Sequence, residues 1–357
     1  MGSLVGAARW PSKAWCARIS VRWFRGLNPL PAALASGQGL ALLFCTLIAA
    51  CSQARGWGDL LFPELAALSS AMLRDPTGPW ARRPAQLIAL PVFTAGLGVG
   101  IARVIPDPGL ALLLAAASAA LVLRLARSTL VPAISAAALP VLLQIHSWAY
   151  PAQIGIALVA LAVVVRLWQR WRGVRLLPMT AEPTPAVTPA AQLWPGPAAG
   201  GWLPLLRWLA LLAGLLLVES STGLRFVLVP PLIVMAYEAQ LRPAHCAWAG
   251  RGWILPLACG GAALAGVLAA QWLPSPALAT ALSLAVCLLL LDRLRLRLPP
   301  LLALGLLPLV LPAPDWRLVP AVMLGASLLV LSQRLPGSAA QMPPAPAAAP
   351  DRSHGRR

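Results

Sequence analysis

Two carboxylates stand where the sequence is otherwise apolar. Glu64 follows Pro63 in "LLFPELAALSS", and Glu238 follows Tyr237 in "LIVMAYEAQLR". Charge is costly in hydrocarbon, so a carboxylate inside an apolar segment is a functional candidate: it can exchange a proton, pair with a cation or line a solute path. Each also has a simpler reading. Glu64 suits the first turn of a helix, where the helix dipole favours an acid, and Glu238 can reach Arg242 four residues on. Gln144 carries no charge and fits a helix-bridging amide as well as a pathway residue. Pro63, Pro132, Pro231 and Pro300 can break helices and bare backbone groups to a solute, or they can merely start or kink helices.

Other chemistries find no support in residue type or spacing. The six cysteines (Cys16, Cys45, Cys51, Cys246, Cys259, Cys287) include no CxxC pair, and His146, His245 and His354 are far apart. Neither a metal nor another cofactor is expected. The sequence contains no Ser-His-Asp spacing and no phosphate-cradling glycine loop, so an enzyme is not expected.

The elements that would position these residues are membrane helices. The chain of 357 residues is 59% hydrophobic and only 11% charged, with a mean hydropathy of +0.77. Soluble domains carry about 25% charged residues. Apolar blocks recur near 37–54, 58–73, 85–105, 108–125, 130–146 and 151–167, then near 202–219, 226–241, 252–272, 276–291, 298–313 and 318–333. The net charge of +18 raises the question of nucleic acid. The arginines, however, fall in short groups between apolar blocks and belong to no aromatic-basic module, so the expected partner is the bilayer. Residues 1–36 form a basic tail in which Arg18, Arg22 and Arg25 share one helical face, suiting an anionic membrane surface or a topology signal.

If all twelve segments cross and the N-terminus is cytoplasmic, only Arg55, Arg103, Arg225 and Arg317 of the 28 Lys and Arg residues fall outside. One miscounted span would reverse every later loop, so the charge bias supports twelve spans with both termini cytoplasmic. Trp80, Trp148, Trp248 and Trp316 fall at segment ends, where indoles favour the headgroup layer.

Sliding the sequence on itself by 168 residues aligns its halves without a gap. Pro63 meets Pro231, Arg74 meets Arg242, Trp80 meets Trp248, and Gly98 meets Gly266. Arg127 meets Arg295, Pro132 meets Pro300, and Trp148 meets Trp316. The predicted domains are therefore a first membrane repeat (37–168), a Pro/Ala-rich linker (169–201), a second repeat (202–335) and a Pro/Ala-rich tail (336–357) expected to be disordered. An even number of spans per copy makes the copies parallel, related by an axis along the membrane normal. The second and fifth segments of each copy are short, about 14–17 residues against roughly 20 for a straight span, and each has proline near its outer end.

The order of features within one copy resembles the HPP family of integral membrane proteins. The break "LRDPTGPWARRP" is followed by "LVPAISAAALPVL" and then by "SWAYPAQIGIALV"; the second copy reads "LRPAHCAW", "LPPLLALGLLPLV" and "DWRLVPAVMLGA". The His-Pro-Pro signature would fall on Leu130-Val131-Pro132 and Leu298-Pro299-Pro300, and the histidine is absent from both. The resemblance implies a helical transporter fold, present twice; some members of that family are linked to nitrite movement, but any role of the imidazole does not carry over. The expectation is thus an all-α polytopic protein of the cytoplasmic (inner) membrane, a secondary transporter or permease for a small solute, anions included, coupled to protons if at all. The alternative is a non-transporting scaffold or sensor subunit.

Overall fold

The computed structural model describes residues 36–174, 202–242, 246, 248, 252–313 and 315–334. The basic N-terminal tail, most of the linker and the C-terminal tail lie outside these residues. Six helices precede the linker: α1 (Gly37–Arg55), α2 (Glu64–Arg74), α3 (Pro84–Val104), α4 (Pro108–Leu125), α5 (Pro132–Leu143) and α6 (Ala149–Trp171). Six follow it: α7 (Leu203–Thr222), α8 (Pro230–Leu241), α9 (Ile254–Trp272), α10 (Pro276–Leu294), α11 (Pro300–Val310) and α12 (Leu318–Ser332). A single 3-10 turn, Gly58–Leu60, and one turn of helix, Pro79–Arg82, flank α2. No strand occurs among the described residues.

Seven helices (α1, α3, α4, α6, α7, α9 and α10) are long and apolar enough to cross a bilayer. Their outward faces carry large apolar side chains, such as Phe93, Leu121, Leu217 and Leu278. Water would penalise such surface and lipid would not. The chain is a multi-pass helical membrane protein.

The remaining helices are shorter than the sequence reading expected. α2 and α11 have 11 residues and α5 and α8 have 12. At 1.5 Å per residue that is about 17–18 Å, little more than half of a hydrocarbon core of about 30 Å. The missing length is backbone outside the regular helices, a 3-10 turn at Leu60 and extended chain at Val229. Leu60-Leu61-Phe62 precedes Pro63, and Leu130-Val131 precedes Pro132; Val227-Leu228-Val229 precedes Pro230, and Leu298 precedes Pro299; all of these apolar residues are buried. Non-helical backbone at membrane depth is tolerated only where protein covers it, which explains why the four short helices are central.

The prolines stand at the N-terminal ends of these helices. Pro63 caps α2, Pro132 and Pro300 open α5 and α11, and Pro231 is the second residue of α8. A first-turn residue has no helical partner for its N–H, so proline costs little there, and its fixed φ suits the start. The expectation that all four mark an outer end does not hold, because second and fifth segments of a serpentine chain run in opposite directions. They mark buried helix starts.

Long helices supply hydrogen bonds to the short ones. Trp168 Nε1 donates to Leu73 O (3.2 Å), Thr94 Oγ1 to Ala133 O (2.7 Å) and Tyr150 OH to Ala136 O (3.3 Å). Beyond the linker, Trp208 Nε1 donates to Ile233 O (3.3 Å) and Ser283 Oγ to Gly305 O (2.7 Å). Glu219 Oε2 accepts from the buried Leu228 N–H (3.3 Å). Each bond occupies a carbonyl or amide that has no water to turn to.

Packing pairs run within and between the halves. α3 packs on α4, α5 and α6, and α9 on α10, α11 and α12. Between halves, α1 packs on α10, α4 on α7, α2 on α11 and α5 on α8. Close approaches use glycine: a Cβ on Gly98 would strike the backbone of Ala137, and one on Gly266 would strike the carbonyl oxygen of Gly305.

Of the tryptophans expected at the headgroup layer, Trp148 and Trp316 are exposed, with Arg103 stacked over Trp148 at 5.4 Å. Trp248 is buried instead, and Trp80 is half-buried, its Nε1 donating to Thr129 Oγ1 (3.2 Å). Those two anchor loops to helices.

Candidate functional site

Glu64 is the first residue of α2 and is 2% exposed. Neither carboxyl oxygen has a partner at full hydrogen-bond geometry among the described residues. Ser135, one turn into α5, turns its buried hydroxyl toward the carboxyl as a donor just short of that geometry. Tyr150 of α6, buried, is close enough to feel both Glu64 and Asp59. The backbone N–H of Asp59 donates to Gln153 Oε1 (3.1 Å), which ties the entry of α2 to α6. A small polar cluster thus gathers where two broken helices begin: Asp59, Glu64, Ser135, Tyr150 and Gln153.

The first-turn position matches the dipole reading of Glu64, but the burial does not match a solvated cap. A buried carboxyl with no full hydrogen bond is the arrangement that structures avoid unless it is used. It can hold a proton, pass one to a basic solute that enters between α2 and α5, or, once ionised, pair with a cation there.

The other sequence candidates fall elsewhere. Tyr237 is buried edge-on against Trp208, ring centroids 5.2 Å apart, and is a packing residue. Glu238 lies one turn from the end of α8 and is partly exposed. It forms no ion pair with Arg242 among the described residues, although the charges are within electrostatic reach. α8 packs on α5, α7, α11 and α12, whereas α2 packs on α1, α5, α6 and α11, so the two glutamates stand on different helices that share α5 and α11 as neighbours. The expectation for Gln144 is corrected. It is exposed, has φ 54, and turns its Nε2 back to Val141 O (2.8 Å), closing its own helix end instead of reaching another helix or a path. Pro63 and Pro132 flank the cluster, while Pro231 and Pro300 are buried among apolar residues of the other half.

Ser135, Tyr150, Asp59 and Gln153 escaped sequence reasoning because each alone is an ordinary polar residue. The signal that finds them is the difference between the halves. At the offset of 168, Asp59, Glu64, Ser135, Tyr150 and Gln153 meet Val227, Leu232, Ala303, Leu318 and Ala321. Five polar residues of one half face five apolar residues of the other, and the apolar set is buried. No group of His, Cys, Asp and Glu able to hold a metal occurs among the described residues.

Asp59 lies in the 3-10 turn, half-buried, and burial pushes its carboxyl above the usual aspartate range. A folded-state pKa above the unfolded value contributes stability below about pH 4 that is lost as pH rises through the folded value. Asp59→Asn is therefore expected to raise thermal stability at pH 7, by less than about 1 kcal/mol because the group is only half-buried. The gain should vanish near pH 3.5 in detergent-solubilised protein; an equal gain at both pH values would refute the assignment.

No family model matches this chain, and neither a curated protein nor a solved structure matches it.

Proposed function

We propose that the protein is a secondary transporter or permease for a small solute, with Glu64 as its proton-exchanging or cation-pairing group. The observation that carries this reading is the Glu64 carboxyl, buried and without a full hydrogen bond among the described residues, between the starts of α2 and α5. Broken helices whose first turns point at one another are the usual way for a membrane bundle to offer N–H groups and a carboxyl to a solute. No nucleotide-binding motif occurs in the sequence, so the driving force is an ion gradient or the solute's own gradient.

The architecture we propose is a pair of parallel six-helix copies resembling the HPP family, with both termini on the cytoplasmic side of the cell (inner) membrane. Reciprocal packing supports it. The α1–α10 contact has its counterpart in α7–α4, and α2–α11 in α8–α5. The cap that ends α4, with Arg127 at φ 46 and Ser128 N bonded to Leu123 O, recurs at the end of α10 with Arg295 at φ 52 and Leu296 N bonded to Leu291 O. In this arrangement the first copy carries the polar site and the second supplies an apolar partner against which it rocks.

The test is a flux screen of small anions, nitrite included, in proteoliposomes with and without a pH gradient. Uptake that depends on the protein and on Glu64 supports the reading. Absence of flux for every solute, from correctly inserted protein, would replace it with a scaffold or sensor role.

A further inference from the structure

A second charged feature lies away from the Glu64 cluster. A cavity of about 410 Å³ opens where α2 ends against the turn between α10 and α11, lined by Arg74, Leu291, Asp292, Arg295, Leu296 and Arg297. Three guanidiniums share it with one carboxylate. None of the three forms a side-chain hydrogen bond or ion pair among the described residues. Arg74 and Arg297 are near enough to repel, and Asp292 offsets only part of that.

The turn that presents two of these arginines is rigid. Arg295 N donates to Asp292 O (3.0 Å) and Leu296 N to Leu291 O (2.9 Å), which holds Arg295 at φ 52. Glycine is the usual residue in that conformation, and the same cap holds Arg127 at φ 46 in the other half, so the fold fixes where the Arg295 side chain starts. The third guanidinium comes from the opposite half, at the last residue of α2. The cleft therefore exists only where the halves meet.

The equivalent junction lacks it. Arg242 and Arg127 take the places of Arg74 and Arg295, but Thr129 replaces Arg297 and is engaged by Trp80 Nε1. Arg124 replaces Asp292, and its guanidinium lies over Trp202 at 4.6 Å.

We infer that the Arg74, Arg295 and Arg297 cleft binds a phosphoryl anion, presented either as an acidic phospholipid headgroup or as free phosphate. Guanidinium forks match phosphate oxygens bidentately, and basic pockets between membrane helices are where anionic headgroups settle. A bound phosphoryl group removes the repulsion among the three cations and ties α2 to the α10–α11 turn.

The experiment compares thermal stability and native mass spectra of the full chain in neutral detergent with phosphatidylglycerol, phosphatidylcholine or inorganic phosphate. Phosphatidylglycerol or phosphate is expected to raise the unfolding midpoint, and phosphatidylcholine is not. Arg297→Gln and Arg74→Gln should each weaken binding by about tenfold, as loss of one charged hydrogen bond does. Arg166→Gln, at an exposed position on α6, should leave it unchanged. A response to phosphatidylglycerol alone assigns the lipid, a response to phosphate alone assigns the free anion, and displacement of one by the other assigns both to one site. No response to either, or equal weakening by Arg166→Gln, overturns the proposal. Arg297→Lys, which keeps the charge and loses the fork, covers the case in which Arg297→Gln fails to fold, and it too should bind more weakly.

Discussion

Glu64→Gln is expected to cut solute flux by about tenfold to a hundredfold while leaving insertion and thermal stability unchanged or higher. The size follows from losing one charge-assisted contact, worth about 1.5–3 kcal/mol, at the rate-determining passage. The lack of a stability cost follows from the resting geometry: neither carboxyl oxygen makes a full hydrogen bond, so an amide of the same shape breaks none. The split between the two readouts is diagnostic. A residue that only favoured the helix dipole would give the opposite pattern, with lower stability and full flux. Glu238→Gln serves as the comparison, since that residue is partly exposed and lies on a different helix, α8; its flux should stay close to wild type. Full flux in Glu64→Gln would remove the carboxyl from the mechanism.

A large loss of stability is expected from Gly98→Ala. The added Cβ would meet the carbonyl oxygen, carbonyl carbon and Cα of Ala137, backbone atoms that cannot rotate away. Relief requires α5 to move from α3, and the Thr94 Oγ1 bond to Ala133 O (2.7 Å) resists that. Overpacking of this kind costs about 1–3 kcal/mol, and Gly98→Val should yield no folded protein. Gly266→Ala repeats the experiment in the other half, where the new methyl would meet Gly305 O and the Pro308 ring. Gly100→Ala, on the same helix as Gly98 with nothing within 4 Å, is the control. It should stabilise by about 0.5–1 kcal/mol, as alanine generally does in place of a mid-helix glycine. A Gly98→Ala protein that melts with the wild type would mean the α3–α5 approach is looser than described.

Much of this molecule is legible without coordinates. Apolar blocks separated by arginines can satisfy their backbone in lipid only as helices, so membrane class and helical fold follow from composition and length. The matched prolines, arginines and tryptophans at an offset of 168 announced equivalent segments, and the short ones were visible as short. Their true length was not. Leu60-Leu61-Phe62 and Leu130-Val131 are as apolar as any helix, and periodicity cannot tell a buried irregular stretch of that size from a helical turn. Proline at the end of each stretch was the clue, because proline suits the start of a helix.

The candidate site divides in the same way. Sequence alone marked Glu64 and Glu238 as carboxyls in apolar settings, with Tyr237 and Gln144 as further candidates. Their surroundings separated them, and surroundings are a property of how helices from distant parts of the chain pack. Only the tertiary structure could place α2 and α5 with Glu64 and Ser135 facing one another, leave Glu238 on another helix at the rim, and fold Gln144 back on its own helix end. Residue type decides what chemistry a group can do, and its surroundings decide whether that chemistry is needed. For Glu64 those surroundings are the starts of two broken helices, where its carboxyl faces the Ser135 hydroxyl and makes no full hydrogen bond among the described residues.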